Sequence, residues 1–441
     1  MRERGVAIAA ILAGAVALLA VHLLLLHTYW DYSEGVYALT AHMMLHGGDL
    51  YGQIVGAQPP GVFLAGAALL AIHDSVEWLR FGVACLQLGA GLIAARIVYR
   101  VTASRFATTF TPAAMLLTPW AVHEHGALTP ELVALPVMLG AALLSADRRR
   151  GVAAGALCGV LVLIKLPLAI PALVIVVMAT DRRRAAVTAA GVLVAGLAIT
   201  TAAGGANVWR DIVIAQLHSG ARTLGQLSGF WAQTGWNVLG LLVCAAAAVH
   251  WRAAARDRRL LQIAIALALA NLLTFLSNFK LGTGLNITVP VEASLVPLAT
   301  CGTVFAVRAA ARRAPRRETA AGTVARRGGH GWPAAVCALA IVFTLAQSIS
   351  LIASPGNAIP FERAFSAPAW EITLTGAQFE QAVARARTCP PGVPYAGAPL
   401  VALAAGRGLP AGQPDEFLPG HSSTLAAVNA RILAARPVCG G

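Results

Sequence analysis

Residues 27–65, HTYWDYSEGVYALTAHMMLHGGDLYGQIVGAQPPGVFLA, decide how this chain is read. They follow directly on the apolar run 1–26. Two carboxylates, Asp31 and Glu34, sit within a few residues of that hydrocarbon-length segment, where charge is costly unless it has a task. Three residues apart, they share one face if Ser33 opens a helix. Val36, Tyr37, Leu39, Met43 and Met44 then alternate with polar residues at helical spacing, which predicts a helix lying in the membrane interface rather than crossing it. The pair Gly47-Gly48 ends that helix, and Gln58-Pro59-Pro60-Gly61 forces an extended turn before the next apolar run.

Outward from this stretch, the chain is 58% hydrophobic and only 12% charged, with a mean hydropathy of +0.70. That excludes a soluble domain and predicts an all-α polytopic membrane protein. The net charge of +14 would suggest nucleic acid in a soluble chain. Here the arginines cluster between apolar spans, at Arg96–Arg105, Arg148–Arg150, Arg182–Arg184, Arg252–Arg259 and from Arg308 to Arg327, so the basicity reads as positive-inside orientation with no nucleic-acid partner. Apolar spans recur at about 81–98, 106–122, 127–145, 151–165, 166–180, 185–203, 233–250, 260–277, 287–307 and 332–353, which with the first makes roughly eleven.

The run at about 59–73 is only about fifteen residues long, below the ~20 needed to cross. If it crossed, every later arginine cluster would lie outside, so it is read as re-entrant or interfacial. The N-terminus is then cytoplasmic in a multi-pass cell-membrane protein, and 308–331 is a basic cytoplasmic linker. Within a transmembrane domain spanning 1–353, the loops 27–80 and 204–232 are external, as are His123-Glu124-His125 and Lys165. The tail 354–441 is a small extracytoplasmic α/β domain. In it, Thr375 and Gln378 form a capping box for a helix through Arg387, 394–396 is a candidate strand and 422–435 a second helix. Of the seven cysteines, Cys389 and Cys439 fall in this polar tail and are placed to form a disulfide if it is external.

The run Glu34-Gly35, Tyr37, Ala41, Gly47-Gly48-Asp49-Leu50-Tyr51 and Pro59-Pro60 resembles the first external loop of GT-C glycosyltransferases, of the protein O-mannosyltransferase and aminoarabinose transferase type. One departure is visible: those relatives carry adjacent Asp-Glu, whereas here Ser33 precedes Glu34 and the aspartate lies back at Asp31. The resemblance implies a GT-C-like fold and an inverting transfer of a hexosyl or pentosyl group from a polyprenyl-phosphate donor to a glycan, lipid or protein acceptor outside the cytoplasm. High alanine and arginine usage points to a GC-rich bacterium, for which mannose or arabinose on a polyprenyl phosphate is a candidate donor.

Such a transfer passes through an oxocarbenium-like state, and a positioned carboxylate takes the acceptor proton or holds a cation. Asp31 and Glu34 are the candidates, with Asp31 as a simple helix cap the competing reading. The leaving phosphate needs positive charge. The chain has only two lysines, Lys165 and Lys280, and both fall at expected external membrane ends. Lys165 resembles the lysine that GT-C relatives place near the donor phosphate. With Arg80 these are the candidate phosphate ligands, against snorkelling of each lysine to the interface. Tyr37, Tyr51, Gln58, His123, Glu124 and His125 are expected to line the substrate pocket, and Glu131 is either a further acid or a helix-start charge. His42 and His46, four apart on one helix face, make a divalent metal a candidate cofactor, with Asp31 as third ligand. Two other classes stay open: a transporter or flippase for a lipid-linked sugar, although no half-repeat is visible, and a non-catalytic membrane scaffold.

Overall fold

The computed structural model describes residues 2–25, 28–30, 32–276, 285–313, 332–353, 373–395, 397–435 and 439, and within them the chain is almost wholly helical. The elements run α1 (Arg2–Leu25), β1 (Thr28–Trp30), α2 (Ser33–Leu45), α3 (Gly61–Leu70), α4 (Val76–Thr102), α5 (Arg105–Leu116), α6 (Pro119–His123), α7 (Pro130–Ser145), α8 (Gly151–Ile164), α9 (Ala169–Met178) and α10 (Arg182–Gly204). A broken helical segment follows, with α11 (Asn207–Trp209), a π turn over Arg210–Ile214 and α12 (Ala215–Leu217). The second half holds α13 (Leu224–His250), α14 (Arg258–Leu276), α15 (Thr288–Arg313), α16 (Trp332–Ala353), β2 (Thr373–Thr375), α17 (Gly376–Arg387), α18 (Pro399–Ala405), α19 (Phe417–His421) and α20 (Ala426–Ala434).

Local chemistry sets the boundaries. Ser75, Ser104, Thr129 and Asp181 each turn a side-chain oxygen back onto the first turn of α4, α5, α7 and α10, satisfying backbone donors that the helix itself leaves unpaired. Helices stand at every expected span. Among the described residues, α1, α4, α10, α14, α15 and α16 are long and apolar enough to cross a bilayer. Their outer faces are apolar and open: only 11% of the apolar window of α10 is covered by protein, with Val187, Val194 and Ile199 pointing outward. Such a belt is stable against lipid and unstable against water. The 59–73 run is helical over the ten residues of α3, about 15 Å of helix against a hydrocarbon core of about 30 Å.

Small residues bring the helices together, as in other bilayer proteins where close backbone approach replaces hydrophobic drive. A Cβ at Gly302 of α15 would lie 1.9 Å from the Cys244 carbonyl of α13, and one at Gly155 of α8 would lie 2.2 Å from the Ala185 carbonyl of α10.

The tail is built onto the first loop. β1 and β2 pair antiparallel, Thr28 with Thr375 and Trp30 with Thr373. The Thr375–Gln378 capping box opens α17, Cys389 and Cys439 are bonded with their Cα atoms 5.7 Å apart, and Tyr395 forms a single bridge with Cys439 in place of a strand, Ala396 lying outside the described residues. The helix expected over 422–435 is narrower, a 3-10 turn followed by α20.

α2 is enclosed by protein over most of its length. Its residues from Glu34 to Ala41 are buried except Tyr37, because α3 covers one side and α18 the other. Gly35 permits this: a Cβ there would lie 2.3 Å from the backbone nitrogen of Leu400 and 3.0 Å from its Cβ. Gly35→Ala should therefore lift α18 from α2, lowering the melting temperature in detergent by an amount corresponding to about 1–3 kcal/mol and exposing the tail to limited proteolysis. Gly191→Ala, in α10 with nothing within 4 Å of the added Cβ, should be neutral or slightly stabilising in the same assay.

Candidate active site

Glu34 is the second residue of α2 and fully buried. Arg80, in the second turn of α4, brings Nε to 3.5 Å from Glu34 Oε1 and donates from Nη2 to the His125 carbonyl at 3.0 Å. The turn carrying His125 presses against α4. A Cβ on Gly126, whose φ is +73°, would meet the Arg80 carbonyl at 2.9 Å, so both the conformation and the space call for glycine. Within this turn Glu124 is fully buried and accepts from the Thr129 hydroxyl at 3.3 Å. His125 Nε2 lies 3.2 Å from His22 Nδ1 of α1. Burial, then the charge of Arg80, pushes the His125 imidazole down to about 3, so it is neutral at pH 7. His123 stands edge-on to Trp120 with ring centroids 5.0 Å apart.

A second charged set sits where α7 begins. Lys165 and Glu131, both nearly inaccessible, form a close ion pair, and Asn286 donates to the other Glu131 oxygen at 3.1 Å. Lys165 occupies the break between α8 and the 3-10 turn at Pro167, its backbone extended at φ −156° and ψ 127°. The extended residue is Lys165 alone, and Leu166 already belongs to the 3-10 turn that carries Pro167. Lys165 does not snorkel to a surface. Its charge is balanced inside the protein.

Tyr37 links the two sets. Its hydroxyl bonds the Gln58 side chain, and burial, with the negative charges of Glu131, Asp415 and Glu124 behind it, raises its pKa well above the ordinary tyrosine value. The phenol keeps its proton and can act as a donor. Tyr51 donates to the Gln58 carbonyl at 2.7 Å and holds the left-handed conformation at φ +71°.

The loop containing these tyrosines is tied down from two directions. From the tail, Gln413 accepts from Val55 N–H at 3.0 Å and donates to the Gln53 carbonyl at 2.7 Å, while Tyr32 donates to Asp415 Oδ1 at 2.7 Å. From the 204–232 loop, Asp211 accepts from Gly56 N–H at 3.4 Å and Gln216 donates to the Ala57 carbonyl at 2.7 Å. The 204–232 segment thereby braces the 50–58 stretch.

Asp31 and Lys280 lie outside the described residues, so neither can be placed. The histidine pair does meet a carboxylate, and it is Asp74 from the turn before α4: His42 Nδ1 lies 3.0 Å from Asp74 Oδ1, and His46 Nε2 lies 3.6 Å from Oδ2. Sequence reading also missed Glu292 of α15, fully enclosed and accepting from Trp120 N–H at 3.0 Å. Its one signal was an acid inside the apolar run VPVEASLVPL.

Fold and site together define a polytopic membrane protein whose first external-type loop, tail and bundle meet around buried carboxylate and cation pairs. No protein-family model matches the chain, and no curated protein matches it by sequence. Among solved structures it is similar to the crystal structure of ArnT from Cupriavidus metallidurans bound to undecaprenyl phosphate, with a TM-score of 0.62 and 17% identity over 96% of this chain and 88% of that one. It is similar also to ArnT of the same organism in the apo state, with a TM-score of 0.58 and 18% identity over 90% and 84% of the two chains. The GT-C-like fold implied by the 27–65 stretch is the fold of this protein.

Breaking one side of a buried ion pair leaves an uncompensated charge, so Lys165→Met should destabilise by about 3–5 kcal/mol. Lys165→Met combined with Glu131→Gln should recover most of that loss. Thermal unfolding of the single and double variants in one detergent measures both.

Proposed function

We propose that this protein is an integral-membrane glycosyltransferase that moves a sugar from a polyprenyl-phosphate donor to an acceptor hydroxyl on the extracytoplasmic face, with inversion at the anomeric carbon. The observation that carries the reading is the likeness, over nearly the whole chain, to a structure that holds undecaprenyl phosphate. Buried paired charges around Tyr37, in a bundle otherwise built of apolar side chains, add the chemistry that such a reaction needs.

In this reading the acceptor oxygen bonds the anomeric carbon while the bond from that carbon to the phosphate oxygen breaks, its electron pair leaving with the lipid phosphate. The acceptor proton passes to a carboxylate, Asp31 or Glu34. Glu34 is already aligned by Arg80, which holds it oriented at the head of α2. The phosphate collects its charge against Lys165 and Arg80, with Lys280 as a third cation. Donor binding exchanges a carboxylate partner for a phosphate on Lys165, so Glu131 tunes how tightly the lysine can hold the lipid. Tyr37 and Gln58 offer neutral hydrogen bonds to sugar hydroxyls, and His125, neutral at pH 7, can accept or donate one without competing for the phosphate. Placing the 27–80 loop and the tail on one side of the membrane is supported by the β1–β2 pairing, which no bilayer can separate.

The test is transfer by purified protein in lipid nanodiscs from a panel of polyprenyl-phosphate sugars. Wild type should use one donor, Asp31→Asn should lose about 10²–10⁴-fold in kcat, and Lys165→Ala with Glu131→Gln, chosen to fold, should lose donor affinity and rate. No transfer from any donor, with Asp31→Asn still complementing a deletion strain, would overturn the proposal.

A further inference from the structure

We propose that His42, His46 and Asp74 form a site for one divalent transition-metal ion, with zinc the best fit, that clamps α2 to the start of α4. The three side chains present one donor atom each within 4.8 Å of one another. Donors on a tetrahedral zinc with bonds of about 2.0–2.1 Å stand roughly 3.3 Å apart. His42 Nδ1 stands 3.0 Å from Asp74 Oδ1 and His46 Nε2 3.6 Å from Asp74 Oδ2, each histidine near one carboxylate oxygen at close to that spacing.

Ring orientation points the same way. His46 Nδ1 lies 2.9 Å from the His42 carbonyl, which can only accept, and this leaves Nε2 turned toward Asp74 Oδ2. A backbone-anchored Nδ1–H with Nε2 turned to the ion is also how metal-binding histidines are commonly oriented. Helical geometry supplies the rest: His42 and His46 are one turn apart on a single ridge of α2, with ring centroids 4.2 Å apart. Two nitrogens and one carboxylate oxygen suit zinc rather than calcium or magnesium, which prefer oxygen alone.

The site's position gives it a role. Counting back along α2, His42 lies eight residues, about 12 Å, from Glu34. Asp74 precedes α4 just as Arg80 lies within it. Two links therefore join the same two elements, an inner one of Glu34 with Arg80 and an outer one of the histidines with Asp74. The outer link opens on a cavity of about 460 Å³ walled by Glu77, Phe379, Glu380 and Arg387, from which water or a further ligand can complete the coordination. An ion bound here fixes α2 against α4 and so fixes the carboxylate pair without touching the reacting atoms. The proposal does not depend on the sugar-transfer reading.

The experiment uses the full chain without a polyhistidine tag, in nanodiscs, stripped by chelator and titrated with Co²⁺ and with Zn²⁺. Expected are about one ion per chain, visible cobalt absorption of the tetrahedral nitrogen–oxygen type, and a rise in melting temperature with zinc. His46→Ala and Asp74→Asn should each weaken binding by about tenfold or more and abolish the thermal shift. His218→Ala, an exposed histidine remote from the cluster in sequence, should bind as wild type does. Failure of the stripped protein to take up either ion, or uptake and thermal shift unchanged in both ligand variants, would overturn the proposal and leave a protonated histidine bridging to Asp74 as the explanation of the geometry.

Discussion

A charge inside a helix bundle surrounded by lipid must be matched, and this constraint shapes the interior. Glu131 is matched by Lys165 and Asn286 and Glu34 by Arg80, while the Glu292 and Glu124 carboxyls accept from backbone and hydroxyl donors. Each pairing fixes two elements at once: α7 with the break after α8, α2 with α4, α15 with α6. Apolar surface turned to lipid carries no register of its own. The polar pairs carry it instead.

From that interior the site grows outward by ordinary hydrogen bonding. The 50–58 loop has almost no regular structure and would be mobile by itself. Gln413 from the tail and Asp211 and Gln216 from the 207–217 segment occupy its backbone donors and acceptors, so a loop acquires the definition of a helix without becoming one. Asp211 sits within a π turn, a local widening of the kind found where a helix yields its own bonding pattern to serve a neighbour.

Much of this was legible in the residues. Ser33 as the start of α2, the capping box at Thr375 and Gln378, the spans and the cysteine pair all depend on chemistry within a few positions of each other, which a sequence displays directly. So does the i to i+4 spacing of His42 and His46. What could not be read were partners brought from far away. Asp74 joins the histidines across 28 or more positions, a partner that no local pattern displays. Lys165 looked like a solitary charge because Glu131, 34 positions earlier, is adjacent only after α7 and α8 pack. The helical spacing of α2 was visible, but the α3 and α18 surfaces that cover it could not be read from that pattern.

The bond between Tyr32 and Asp415 spans 383 residues. During synthesis at about 5–20 residues per second, the first loop therefore waits roughly 20–80 s for the residues that hold it. Throughout that interval the hydrophobic bundle can insert and pack, but the polar face at its mouth stays unassembled. A chain truncated just before the tail would keep its helical bundle and the Lys165–Glu131 and Arg80–Glu34 pairs and yet lack the frame of its own first loop. Synthesis of the tail is thus the step that closes the frame of the first loop.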